Sequence, residues 1–267
     1  MPLAICATPI GNLEDVTLRV LRELGEADVV LCEDTRRTRI LLDRHGISAR
    51  LVSYHEHNEA ARSAEMLPKL AAGARIALVS DAGMPGVSDP GARLIAAAIE
   101  AGVQVTVLPG ASAVETALVA GGFDARRYQF LGYLPRGEPA LTALWDELRG
   151  WPWPAVAFES PRRLPASLRS LARAQPARRV AVCRELTKQF EEVVRGPASV
   201  VATRFLEPPK GEITLVLGPG GDDAGREREA VAAVSELVAA GVARRQAADL
   251  VARLTGGRRN ALYRGSL

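Results

Sequence analysis

Three cysteines in 267 residues, Cys6, Cys32 and Cys183, leave this chain without the material for a disulfide framework or a thiolate metal site. They are far apart, and each sits in an apolar, strand-like segment, so they read as small buried hydrophobes. Aromatic residues make up only 4% of the sequence, and no run of about 20 uncharged apolar residues occurs, so no membrane span is expected. The opening MPLAICATPIGN is a short apolar run with no basic leader. It fits a first buried strand better than a signal peptide and points to a cytoplasmic protein. Nucleotide and metal signatures are missing too. There is no G-x-G-x-x-G, since Pro9 stands where the first glycine of such a fingerprint would fall, and no G-x-x-x-x-G-K-[ST], C-x-x-C or H-E-x-x-H. NAD, ATP and zinc chemistry are thereby weakened together, and no metal is expected.

What the sequence does have is alternation. With 48% hydrophobic residues, a chain of 267 is long enough for one large or two ordinary domains. Leu3 to Ala7, Val29 to Cys32, Leu51 to Ser53, Ile76 to Ser80 and Val103 to Leu108 read as buried strands. Helical patterns run between and after them, at Leu18 to Leu24, Thr35 to Asp43, Glu59 to Ala72, Pro90 to Ala101 and Ser112 to Ala120. This is the pattern of a parallel α/β sheet. GGFDARR (Gly121 to Arg127) breaks it, and a second group of strands follows at Gln129 to Gly132, Ala155 to Glu159, Val180 to Arg184, Glu191 to Arg195 and Glu212 to Gly218. Two strands closely spaced around Thr187 and Lys188, with a short helix before the last strand, predict a mixed second sheet. The expected organisation is an N-terminal α/β domain over 1–120, a C-terminal α/β domain over 121–220 and a helical tail over 226–267. A polar, glycine-rich linker, GPGGDDAGRE, precedes the tail. There Val231, Val234, Leu237 and Val238 form one apolar stripe and Ala248, Val251 and Leu254 a second, with basic GGRRNALYR behind them. The pattern is like a small helix-turn-helix, which suits nucleic acid, a helical cap or a dimer contact alike.

The net charge is only +3, but the arginines are clustered: Arg36, Arg37, Arg39 and Arg44, then Arg162, Arg163 and Arg169, then a group in the tail. Such clusters suit a phosphate-rich partner, and a solvated arginine-rich surface accounts for them equally well. The most informative stretch is SDAGMPGVSDPG (Ser80 to Gly91), directly after a strand. Its glycines and prolines can aim backbone groups unusually, and Asp81 and Asp89 add acceptors beyond the strand's carboxyl end, where ligands bind in open α/β sheets. An N-cap at Ser88 or Asp89 with Pro90 in the first turn accounts for its SDPG half. It does not account for SDAGMPG. ATPIGNL, EDTRRT, LPGASA and GYLPR stand at further strand ends and should line the same crevice.

At these residues the sequence resembles a known family. ATPIGNLEDVTLR, EDTRRT, SYHEHNE, SDAGMPGVSDPG, LPGASA, FLGYLPR, ESPRRL, CRELTKQFEE and PKGEITLVLGP, in this order from about Pro2 to Gly218, are similar to the ribosomal small-subunit methyltransferase I family of the tetrapyrrole methylase superfamily. The resemblance implies two α/β domains with S-adenosylmethionine held in the cleft between them, and a homodimer. It also implies 2′-O-methylation of a decoding-centre cytidine in 16S ribosomal RNA, within the small subunit. Carried over, Asp81, Ala82, Gly83 and Met84 would lie along the methionyl and ribose parts of the cofactor. Ser112 and Ala113 would touch it from the next strand, Ile10 would close one side, and backbone around Phe158, Cys183 and Ile213 would hold the adenine. A ribose hydroxyl needs a proton acceptor, for which Glu33, Asp34, Asp81 and Lys188 are the cleft candidates, with Asp34 also a natural helix cap. Arg36, Arg37, Arg162 and Arg163 fit phosphate contacts, with Lys188 a further candidate. Tyr54, Phe130 and Tyr133 could stack on a splayed base, and His55 and His57 neighbour the cleft. The competing readings are a superfamily methyltransferase acting on a tetrapyrrole or a protein side chain, and a non-enzymatic RNA-binding protein.

Overall fold

Two five-stranded sheets carry the chain in the computed structural model, which describes residues 2–220, 223–255 and 257–267. The first contains β1 (Leu3–Cys6), β2 (Val29–Cys32), β3 (Leu51–Ser53), β4 (Ile76–Val79) and β5 (Val105–Leu108), all parallel, in the order β3-β2-β4-β1-β5. Its central strands are buried on both faces, as their unbroken apolar runs require. Helices α1 (Leu18–Glu26) and α2 (Thr35–Arg44) cover one face through Val20, Leu24, Leu41 and Leu42, and α3 (Glu59–Ala71) and α4 (Ala92–Glu100) cover the other through Met66, Leu70, Leu94 and Ala98. The chain therefore leaves adjacent strands β1 and β4 towards opposite faces. That divergence opens a crevice at their carboxyl ends.

The second sheet contains β6 (Gln129–Tyr133), β7 (Ala155–Glu159), β8 (Arg179–Arg184), β9 (Glu192–Pro197) and β10 (Ile213–Leu217), in the order β6-β7-β10-β8-β9. It is mixed, as predicted: β6 and β7 are parallel, while β10 runs antiparallel to β7 and β8, and β8 to β9. One face packs under α6 (Glu138–Arg149), α7 (Leu164–Ala174) and α8 (Ala198–Arg204), around a fully buried Trp145 whose indole donates to Ser170 Oγ at 3.0 Å. The sequence reading has no helix at α6 or α7. Pro139 and Pro165 each fall in a first turn, where the missing N–H has no partner to lose. The other face packs on α5 (Ala113–Gly121), whose Val114, Ala117 and Leu118 meet Val156, Ala181 and Val216. Helix α5 thus joins the two lobes.

Three expectations are corrected outside the crevice. The predicted linker is partly helical: α9 (Asp223–Ala239) starts within GPGGDDAGRE, of which Gly221 and Asp222 lie outside the described residues. Among the described residues the tail holds three helices, not two, with α10 (Arg244–Thr255) and α11 (Arg259–Gly265) packing on α9 around Val234, Ala247, Val251 and Leu262. Leu254 is 77% exposed and does not belong to the apolar stripe. Among the described residues no helix is long and apolar enough to cross a membrane.

Candidate active site

The loops after β1 and β4 are laced together at the crevice floor. Thr8 N donates to Gly83 O at 2.8 Å, Gly83 N returns to Thr8 O at 3.0 Å, and Thr8 Oγ1 donates to Ser80 O at 3.0 Å. Gly83 adopts φ +80°, where a side chain would be strained, and a Cβ there would stand 3.7 Å from both Ile10 and Ala111 O. The loop after β5 closes on the same floor, since a Cβ on Gly110 would reach 2.9 Å from that of Ala7. Beside these loops lies a cavity of about 170 Å³, walled by Thr8, Ile10, Arg37, Ser80, Asp81 and Lys188.

Of the residues that the resemblance implies for the cofactor, Ile10, Ala82, Ala113, Phe158 and Cys183 meet in one apolar cluster that spans both lobes. Gly83 lies on the floor, and Ser112 opens α5 with its hydroxyl hydrogen-bonded to Glu115. Three do not turn their side chains to the crevice: Cys183 is 1% exposed, with its thiol on Ala117 O of α5. Met84 packs against the core under α3 and α4, and the Ile213 side chain lies in the core under α6 to α8, because alternate residues of β10 face opposite sides. Ile213 offers the crevice its backbone only.

A chain of ionic contacts crosses the crevice. Asp81 accepts the Asp34 N–H through Oδ1 at 2.9 Å and pairs with Arg37 through Oδ2 at 3.2 Å. Arg37 reaches Glu212 of the other lobe at 4.0 Å, and Lys188 Nζ sits 2.9 Å from Glu212 and 2.8 Å from Glu185. Lys188 belongs to the β8–β9 turn, which lies over the first loop. Asn12 N donates to Thr187 Oγ1 at 3.0 Å, and a Cβ on Gly11 would stand 2.8 Å from Leu186 O. Glu185 and Thr187 hold φ of +52° and +65°, an uncommon conformation for such residues.

These contacts sort the proton-acceptor candidates. Asp34 caps α2 by accepting from Arg36 N at 2.8 Å and forks with the Arg36 guanidinium, which holds its carboxyl at about 2. Burial lowers the proton affinity of Lys188, but its hydrogen bonds to Glu185 and Glu212 outweigh that and raise it. Asp34 and Lys188 are therefore corrected from acceptors to a helix cap and an ion-paired cation. Glu33 is different: burial, then the neighbouring Asp81 charge, push its carboxyl up. Asp89, which the sequence offers both as an acceptor beyond the strand and as one of two possible caps, is pushed up to about 6 by burial and then by Glu33. It caps nothing, because α4 starts at Ala92, Ser88 turns through φ +61°, and Glu59 Oε1 accepts Gly91 N and Arg93 N at 3.1 and 3.3 Å.

The phosphate and stacking candidates also divide. Arg163 is corrected: its guanidinium pairs at 2.6 Å with the fully buried Glu159 carboxylate and donates to Leu134 O at 3.1 Å, so it is committed to the fold. Arg37 is committed to Asp81 and Glu212. Arg36 is 88% exposed beyond its pair with Asp34, and Arg162 is exposed. Tyr54 is 1% exposed, with its hydroxyl on Glu59 and Ser63, and cannot stack on a base, and Phe130 is half-buried with its ring against Phe158 in the apolar cluster. Tyr133 remains, 61% exposed. His55 faces Asn58 through Nε2 at 3.2 Å, and His57 is exposed. Sequence reasoning missed Glu59, Glu159 and Glu212. All three stand inside the quoted motifs, but their partners arrive from other elements.

The model of the Tetrapyrrole (Corrin/Porphyrin) Methylases family matches residues 2–202. A protein of Mesorhizobium japonicum called ribosomal RNA small subunit methyltransferase I is 43% identical, over 98% of this chain and 90% of its own. One of the same name from Thermotoga maritima is also 43% identical, over 80% of this chain and 97% of its own. Among solved structures, a uroporphyrin-III-C-methyltransferase from Thermus thermophilus aligns with a TM-score of 0.56 at 21% identity, covering 81% of this chain and 93% of its own. A diphthine synthase aligns at 0.60 and 15% identity, covering 81% and 89%. Those likenesses establish the fold, and the identity to the curated relatives narrows it: the chain belongs to the tetrapyrrole methylases and, within them, to the ribosomal RNA small subunit methyltransferase I family.

Proposed function

We propose that this protein transfers the methyl group of S-adenosylmethionine to a ribose 2′-hydroxyl of 16S ribosomal RNA, the acceptor being a decoding-centre cytidine in the small subunit. The observation that carries this is identity of 43% to relatives so named, spread over 98% of the chain in one of them. The crevice fits such a cofactor. Its apolar wall suits a flat, uncharged adenine, and the carboxylates of Glu33, Asp81 and Asp89 suit a molecule with a sulfonium and an ammonium group. A solved structure with this fold, the uroporphyrin-III C-methyltransferase of Thermus thermophilus, is complexed with S-adenosyl homocysteine.

When bound, S-adenosylmethionine supplies a methyl group already activated by the positive sulfur, so no Lewis acid is needed. The protein's part is then alignment, exclusion of water and removal of one proton. Ile10, Ala82, Ala113 and Phe158 form the dry wall, and Asp81 anchors the floor while tied to the Asp34 N–H and Arg37. Asp89 takes the proton of the attacking hydroxyl, because a carboxyl near 6 is mostly ionised at neutral pH yet more basic than an exposed one. Arg36 and Arg162, one on each lobe, are the phosphate contacts of a strand that lies across the crevice. The resemblance extends to a homodimer in the cytoplasm, and light scattering at twice the 28.4 kDa chain mass checks the dimer.

The deciding experiment incubates the protein and labelled S-adenosylmethionine with small ribosomal subunits that lack the modification, then maps ribose methylation. Label on one ribose of the 16S RNA is expected. Label found only on a tetrapyrrole or a protein overturns the reading.

A further inference from the structure

We propose that Tyr133 is the stacking platform for an unpaired nucleobase of the acceptor RNA, a subsite that rests on the reading of RNA as substrate. Its place is built by three independent features. The register of edge strand β6 against β7 slips by one residue, so that Phe130 pairs with Val156 but Tyr133 with Phe158. The slip falls at Gly132, whose φ of +68° favours glycine, and bulges of this kind re-aim side chains beside active sites. Beneath the ring, Phe158 meets Tyr133 edge-on at 5.6 Å and Phe130 at 5.1 Å. Behind it, Leu134 N donates to Phe158 O at 3.0 Å, and the Arg163–Glu159 pair clamps Leu134 O.

A ring held this firmly and still 61% exposed is ready to receive a flat partner. Its neighbours say which kind. Asp89 of one lobe and Glu212 of the other stand close enough to act on its phenol, which burial and these two carboxylates keep protonated. Two carboxylates repel a phosphate or the acidic side chains of a tetrapyrrole, but not a neutral base. Single-stranded RNA is commonly read in this way, by splaying a base onto an aromatic side chain.

The test compares Tyr133→Ala, Tyr133→Phe and Tyr133→Trp on small subunits carrying either the normal target or an abasic ribose at the mapped nucleotide. Stacking predicts that Tyr133→Ala loses roughly ten- to a hundredfold in kcat/KM on the normal target, with calorimetric cofactor affinity unchanged. Phe and Trp should restore it. On the abasic target the alanine variant and the wild type should be alike, since no base is left to stack. A loss that persists on the abasic target, fails to recover with Phe, or is matched by a loss of cofactor affinity overturns the subsite and makes Tyr133 structural. Full activity of Tyr133→Ala overturns the subsite alone, whereas a wild type that methylates no small-subunit RNA overturns the functional reading and the subsite with it.

Discussion

The two walls of the crevice are made differently. The wall of the first lobe consists of loops that follow parallel strands, so its chemical groups, Glu33, Asp81 and Asp89, all come from one edge of one sheet. The wall of the second lobe comes from a mixed sheet: Phe158 from a strand face, Tyr133 from a bulge, Lys188 from a hairpin turn. The first wall adds anionic groups to the apolar Ile10 and Ala82. The second is mostly aromatic and apolar, with its cation neutralised by Glu185 and Glu212. A parallel sheet concentrates functional loops, whereas a mixed sheet contributes surface. Chemistry should therefore fail when the first wall is altered, and substrate fit when the second is.

The sharpest break is expected at Asp89. Asp89→Asn should lower single-turnover methylation by about 10²- to 10⁴-fold, the range typical of a lost general base. The wild-type rate should climb with pH through about 6, and the variant should lack that step. The same group bears on stability. Its carboxyl binds a proton more tightly in the fold than in the unfolded chain, where an aspartate titrates near ~3.9, so it costs stability as pH rises from there through about 6. Asp89→Asn should thus melt higher than the wild type at pH 7 and not at pH 3, as calorimetric melting at both pH values would show. An unchanged rate and pH profile would falsify the assignment.

Next comes Asp81. Asp81→Ala removes the acceptor of both the Asp34 N–H and Arg37, and calorimetric titration should show cofactor affinity about ten- to a hundredfold weaker in a folded protein. Smaller is the effect of crowding the walls together. Gly11→Ala drives a methyl group into Leu186 O and Thr187 Oγ1, 2.8 and 2.7 Å away. Overpacking of that kind costs about 1–3 kcal/mol, so the melting temperature should fall by several degrees. If it does not fall, the β8–β9 turn yields freely. Least is expected of Lys188→Gln: its contact with the 62% exposed Glu212 is worth at most about 1 kcal/mol, and its more buried partner Glu185 keeps the Glu212 N–H as a donor. Its rate should stay within about fivefold of wild type with the pH profile intact; abolition of the reaction would move catalysis to the second wall.

The difference between the walls also explains what could be read in advance. Strands and loops of the first lobe follow from local signals, an apolar run and then glycines, prolines and aspartates, and the place of Ser80 to Gly91 at the carboxyl end of β4 was legible for that reason. Even there, the cap expected at Ser88 or Asp89 is not made. Pro90 suggests that cap, while the actual one comes from Glu59, about thirty positions earlier, on a helix that only the fold brings near. Arg163 failed in the same way. Nothing in ESPRRL says that Glu159, four residues away and fully buried, needs its guanidinium. Tyr54 and Phe130 look as available as Tyr133 in a one-dimensional string. Burial, which depends on sheet order, separates them.

Helix α5 carries a consequence of its own. Its first turn, at Ser112 and Ala113, borders the crevice proposed to hold the cofactor, and its next two turns, through Ala117 and Leu118, glue one sheet to the other. Occupancy of the crevice and docking of the lobes therefore draw on one reservoir of free energy. A ligand that binds only the docked arrangement strengthens it by RT ln(1 + [L]/Kd), about 2.7 kcal/mol at a hundredfold excess over Kd. By the same reciprocity, a substitution that loosens α5 against Val156 or Val216 lowers cofactor affinity without touching the ligand.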